Sequence, residues 1–221
     1  MSQQTWSAVD DYITEQLIGE DPVLEAALKD SAAAGLPAIA VTAPQGRLLQ
    51  MLAQIHGARN ILEVGTLGGY STIWLARALP PDGRLTTLEL QAGYAAVAAA
   101  NVERAGLAGL IKIKVGPAID SLGELIDEHR DPFDLVFIDA DKASTPAYFQ
   151  AALQMSRPGT IIIVDNVVRD GQLADPHTSD PGAQGMRRFH ELLAAERRVT
   201  ATTIQTVGDK GYDGFTMVLV G

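Results

Sequence analysis

The chain has 221 residues, 47% of them hydrophobic, and a formal net charge of −10. That is enough apolar material for the core of a single domain, and the acidic balance argues against nucleic-acid partners, which bind through Lys and Arg clusters. The lack of cysteine excludes disulfide scaffolds and thiolate chemistry, and no signal-peptide pattern or apolar run of about 18 residues is present, so a cytoplasmic protein without membrane contact is expected. In chain order, Trp6, Val9, Ile13 and Leu17 fall at helical spacing, and Asp21 and Pro22 open a second helix. These helices, about 3–33, are extra to a minimal nucleotide fold and are expected to cap the sheet or form a dimer surface. A third helix is expected from Gln45 to Gly57, after a loop in which Val41 and Thr42 would reach over a ligand pocket.

Residues 60–71, NILEVGTLGGYS, read as a buried strand entering a glycine turn, with a helix opening at Ser71. Leu67 stands where a dinucleotide fingerprint would place its second glycine. Glu63, two residues before Gly65, suits a ligand with a cationic amino-acid end better than a pyrophosphate, which it would repel. S-adenosylmethionine (SAM) is such a ligand. The second strand, 84–90, ends at Glu89, and an acid about 20 residues beyond a glycine turn is placed to bind ribose hydroxyls, in SAM or in NAD.

An alanine-rich helix follows over 95–105, then an edge strand, IKIKV, over Ile111–Val115. Small residues at the next turn, Gly116 to Ala118, leave room for an adenine, and a helix runs on to His129. Two apolar and therefore central strands are expected at 134–139 and 160–164, with a helix over 143–155 and a turn at Arg157, Pro158 and Gly159 between them. Residues 167–185 show no periodicity and read as a long functional or disordered loop. A last helix is expected over 186–196. Two strands, 200–207 and 215–220, joined by a 208–214 loop without a helix, then force an antiparallel closing hairpin.

Ligands of open α/β sheets bind beyond the carboxyl ends of the strands. There the chain places Glu63, Glu89, Asp139, Asp141, Lys142, Asp165 and Asn166. Asp139, Asp165 and Asn166 form an all-oxygen set that suits a hard divalent cation, Mg²⁺ first, with Mn²⁺ or Ca²⁺ as options. Lys142, next to that cation and a sulfonium, would lose preference for its proton and could act as general base. Of the four histidines, His177 in the long loop is the one placed to reach substrate.

With these residues in place, the chain resembles the cation-dependent class I SAM O-methyltransferases, the group that contains the caffeoyl-CoA and catechol enzymes. The resemblance runs from about Pro37 to Val220 and rests on ILEVGTLGGYS, FDLVFIDADK, RPGTIIIVDNV and VGDKGYDG. It implies a Rossmann-like α/β domain over 1–221, with a seven-stranded, mostly parallel sheet and a C-terminal antiparallel hairpin. It also implies a SAM site made by Val41, Glu63, Gly65, Thr66, Ser71, Glu89, Ala118 and Asp139 with Asp141 nearby, metal ligation by Asp139, Asp165 and Asn166, a base at Lys142, and a homodimer. The expected reaction is metal-dependent methyl transfer from SAM to a hydroxyl of a small catechol-like, phenolic acceptor. The chain departs from the family pattern at Pro44, Gln45, Gly46 and Arg47, where Asp-Glu-Gly-Gln is common, and in the loop after Asn166. The rival readings are an NAD-dependent oxidoreductase, which leaves Asp165, Asn166 and the hairpin unexplained, and a non-catalytic SAM-binding protein.

Overall fold

The computed structural model describes residues 2–128 and 131–221, so the helix end expected at His129 lies outside the described residues. Seven strands form one sheet in the order β3-β2-β1-β4-β5-β7-β6. They are β1 (Asn60–Val64), β2 (Arg84–Glu89), β3 (Ile111–Val115), β4 (Phe133–Ile138), β5 (Ser156–Asp165), β6 (Val199–Gly208) and β7 (Gly211–Val220). The first five pair in parallel, and β7 runs antiparallel to both β5 and β6. Every residue of β4 is buried, as its nearly unbroken apolar run requires, whereas β3 at the edge has no buried residue and leaves Lys112 exposed. The strand order reverses direction between β1 and β4, and the crevice above such a switch point is where this architecture binds ligands.

Helices cover both faces. On one side lie α2 (Pro22–Ala33), α3 (Ala43–His56), α4 (Tyr70–Ala76) and α5 (Ala92–Arg104), around a core that includes Ile61, Ile73, Trp74, Leu85 and Phe137. On the other lie α6 (Ala118–Asp127), α7 (Thr145–Gln154) and α8 (Pro181–Ala195), packed over Leu62, Val136, Phe149, Ile162 and Phe189. The leading helix α1 (Gln3–Ile13) runs into a π-helical turn, Thr14–Ile18, and docks on the tip of the closing hairpin. Gln3 Nε2 donates to the carbonyls of Gly208 and Asp209 at 2.9 and 3.0 Å, and the Asp209 N–H donates to Asp10 Oδ2 at 2.8 Å.

Three local expectations need correction. Arg157, Pro158 and Gly159 do not form a free turn but begin β5, with a shift of register against β4 between Phe133 and Leu135. Thr160 makes this possible, because its hydroxyl accepts the Arg157 N–H at 3.0 Å and donates to the Phe133 carbonyl at 2.7 Å, bonding the chain where Pro158 has no N–H to give. The long loop is shorter than its composition implied. A 3₁₀ turn forms at Gln172–Ala174, and α8 starts at Pro181, with the Asp180 carboxylate accepting the Ala183 N–H at 2.7 Å. The closing hairpin has a turn of just Asp209 and Lys210. Gly211 to Gly214 belong to β7, where a side chain at Gly214 would come within 2.4 Å of the Ile204 carbonyl oxygen.

Candidate active site

The turn after β1 is shaped by close approach. Gly65 has φ +103°, and a Cβ there would lie 2.1 Å from the carbonyl oxygen of Asp139, so only glycine lets the ends of β1 and β4 come together. Leu67 takes a left-handed conformation (φ 50°), which turns its N–H onto Glu89 Oε2 at 2.8 Å. The Gln91 N–H holds the other oxygen of Glu89 at 2.9 Å. Glu89 is thus fixed by two backbone donors at the end of β2, with acceptor capacity left on both oxygens for a diol.

These residues line a cavity of about 880 Å³ above the switch point. Of the residues expected to bind cofactor, Val41, Gly65, Thr66, Ser71, Glu89, Ala118, Asp139 and Asp141 all line it, together with Lys142. Tyr70, Tyr94 and Tyr148 complete the wall and were not anticipated. The Tyr148 hydroxyl donates to Asp141 Oδ2, and Asp141 Oδ1 accepts the Ser144 N–H at 3.0 Å. These bonds hold the Asp141 carboxyl below the usual carboxylate range in spite of its partial burial.

Glu63 departs from its expected place. It is fully buried beneath the glycine turn, away from the cavity wall, and accepts hydroxyls from Ser71 (2.6 Å), Thr72 and Thr87 (2.7 Å). Burial pushes its carboxyl up to about 7, although the three hydroxyl donors pull the other way. Its role in the fold is to tie β1 to β2 and to the start of α4. His177 is also elsewhere, exposed and away from the cavities, with its backbone N–H on Asp175.

The three expected oxygen ligands stand at the neighbouring ends of β4 and β5. Lys142 lies in the turn before α7, outside the helix, and its Nζ is 2.6 Å from Asp139 Oδ1. Asp165 is 4% exposed. Its Oδ1 accepts the Asn166 N–H at 2.8 Å, and its Oδ2 accepts from Gln45 Nε2 at 2.7 Å. Burial, reinforced by the charge of Asp139, raises the Asp165 carboxyl well above its ordinary range. Among the described residues no group of three or more His, Cys, Asp or Glu is arranged to hold a metal. The set here is two carboxylates and the Asn166 amide, a donor chemistry that fits a hard cation. Asn166 has φ 53°, and the chain beyond it is held in left-handed turns at Arg169 and Asp170, with Asp213 Oδ1 accepting the N–H groups of Val168 and Arg169 at 2.9 and 3.0 Å.

A second cavity of about 440 Å³ opens on the far side of this cluster. Its walls include Ile39, Leu48, Val207 and Phe215, with Gln45 and Asp165 at its floor. It shares Asn166 and Arg169 with the larger cavity, so the two spaces meet beside the oxygen cluster.

A family model for O-methyltransferases matches residues 14–219. The chain belongs to the O-methyltransferase family. It is 52% identical over 220 residues to a catechol O-methyltransferase of Niastella koreensis, covering the whole of both proteins. The structure of an O-methyltransferase from Bacillus cereus in complex with SAH superposes with a TM-score of 0.98 at 55% identity, over 100% of both chains. That of TomG, an O-methyltransferase from Streptomyces achromogenes involved in tomaymycin synthesis, in complex with SAM, gives 0.96 at 53% identity over 100% of this chain and 99% of that one. Family membership sets aside both the nicotinamide-dependent oxidoreductase and the non-catalytic binding protein.

Proposed function

We propose that this O-methyltransferase moves the methyl group of SAM onto a hydroxyl of a small catechol-like acceptor, with a divalent cation held by Asp139, Asp165 and Asn166. The observation that carries the reading is the meeting of two cavities at that oxygen cluster, one walled by the backbone-held carboxylate of Glu89 and one of about 440 Å³, within the range of a small-molecule site. In this reading Glu89 holds the ribose hydroxyls, the turn from Gly65 to Ser71 receives the amino-acid end of the cofactor, and Ala118 lies against the adenine. When bound, the cation supplies Lewis acidity and fixes the orientation of the acceptor oxygens.

Lys142 takes the hydroxyl proton at Nζ, and the apolar walls keep water from the path of transfer. Because charge is neutralised as a phenolate meets a sulfonium, positioning supplies much of the rate. The catechol name of the Niastella relative, identical at half of its positions, supports this choice of acceptor.

The test is methyl transfer from labelled SAM to catechols, with and without EDTA. Asp165→Ala should abolish transfer while SAM binding and melting temperature are kept. Lys142→Ala should lower kcat by about 10²–10⁴-fold, with partial recovery at high pH. Full activity of Asp165→Ala in EDTA would overturn the metal-dependent reading, and an unchanged kcat in Lys142→Ala would remove the lysine as base.

A further inference from the structure

Residues 42–45, Thr-Ala-Pro-Gln, have the pattern of a helix capping box. Half of that box forms: Thr42 Oγ1 accepts the Gln45 N–H at 3.4 Å at the start of α3. In the reciprocal half, the side chain at Gln45 would return to the Thr42 N–H. It does not. Gln45 Nε2 instead reaches Asp165, 120 positions further along the chain, and donates to its Oδ2 at 2.7 Å. With the Asn166 N–H on Oδ1, each oxygen of this nearly buried carboxylate is aimed by one N–H donor and keeps a free lone pair.

We propose that Gln45 is the positioning residue of the cation site. It holds the Asp165 carboxylate in the orientation that presents it beside Asp139 and Asn166, an inference that rests on the reading of Asp165 as a ligand. Three features of the side chain fit the task. It is a donor, so it satisfies an oxygen that has little water to turn to. It is neutral, so it adds no charge that would repel a cation. Its backbone is pinned by the Thr42 cap, so the amide approaches from a fixed base. Val41, one residue before that cap, lines both cavities, while the bond itself lies at the floor of the second.

The experiment is Mn²⁺ binding to the full chain, followed by the loss of the free-ion electron paramagnetic resonance signal, in wild type, Asp165→Ala, Gln45→Met and Gln45→Leu. SAH affinity and melting temperature are recorded beside it. Wild type should bind, Asp165→Ala should not, and both Gln45 variants should bind about 10–100-fold more weakly, the range for losing a hydrogen bond to a metal ligand. SAH affinity should hold, because Gln45 does not line the cofactor cavity. Unchanged Mn²⁺ affinity in Gln45→Met and Gln45→Leu would overturn the proposal and leave the metal site standing. No binding by wild type would overturn both. A fall in SAH affinity and melting temperature as large as the fall in Mn²⁺ affinity would make Gln45 a structural residue and also overturn it.

Discussion

Two acids near the carboxyl ends of the neighbouring strands β1 and β2 show how much depends on the direction of a side chain. Glu89 is held by backbone N–H groups and stays at the wall, while Glu63 is drawn inward by three hydroxyls and is lost to solvent. The burial of Glu63 has a consequence for pH. Its carboxyl has an ordinary value of 4.5 and is raised to about 7 on folding, so the folded chain favours the protonated form. The stability this gives is complete below 4.5 and is lost as pH rises through about 7. A shift of that size corresponds to about 3 kcal/mol. Compared with Glu63→Gln, which cannot ionise, the wild type should lose up to about 3 kcal/mol of unfolding free energy between pH 4.5 and pH 8. Urea melts at several pH values would show it, and parallel curves for the two proteins would refute it.

At the scale of the element, the ends of strands do the positioning and the helices set how near they come. Gly185 on α8 is the clearest case, since a Cβ there would lie 2.2 Å from the carbonyl oxygen of Lys142. Gly185→Ala should push α8 away from the Lys142 turn, at about 1–3 kcal/mol of stability. It should also lower kcat more than it weakens SAM binding, because Lys142 moves while Glu89 does not; steady-state kinetics beside calorimetry would check this. The ends of β1, β2, β4 and β5 were legible in the sequence because apolar runs stop abruptly, at a glycine turn after β1 and at acids in the other three, and their place above a parallel sheet follows from the fold. The inward turn of Glu63 was not, because its causes, Thr72 and Thr87, lie on two other elements and carry no signal of their own. The start of α8 at Pro181 was not legible, because Gly182 and Gly185 masked the helical pattern behind it. Gln45 stands in the sequence only as the start of a helix, and nothing local reveals that its side chain reaches Asp165.

For the whole molecule, Val9 and Tyr12 on the leading helix, Leu17 on the π-helical turn, and Met51 and Ile55 on α3 are exposed apolar side chains of the kind that a partner covers. The π-helical turn that carries Leu17 packs against α3, which brings the two groups together. We propose a homodimer through this face, and light scattering at micromolar concentration should give about twice 23.4 kDa; a monomer mass would refute it. Among the described residues no helix is long and apolar enough to cross a membrane. The docking of α1 on the hairpin tip has a further consequence for how the chain comes to be finished. Gln3 finds its acceptor 205 positions later, in the closing hairpin. Lys210, in the same turn, donates to the Ala38 carbonyl at 2.8 Å and so anchors the segment that leads to Val41. The parallel sheet can begin to pair while synthesis is still under way, but the leading helix must wait, unpartnered, until the hairpin closes. The rim of the cofactor cavity is therefore anchored only after the hairpin has formed, and a nascent chain has its floor before it has its edge.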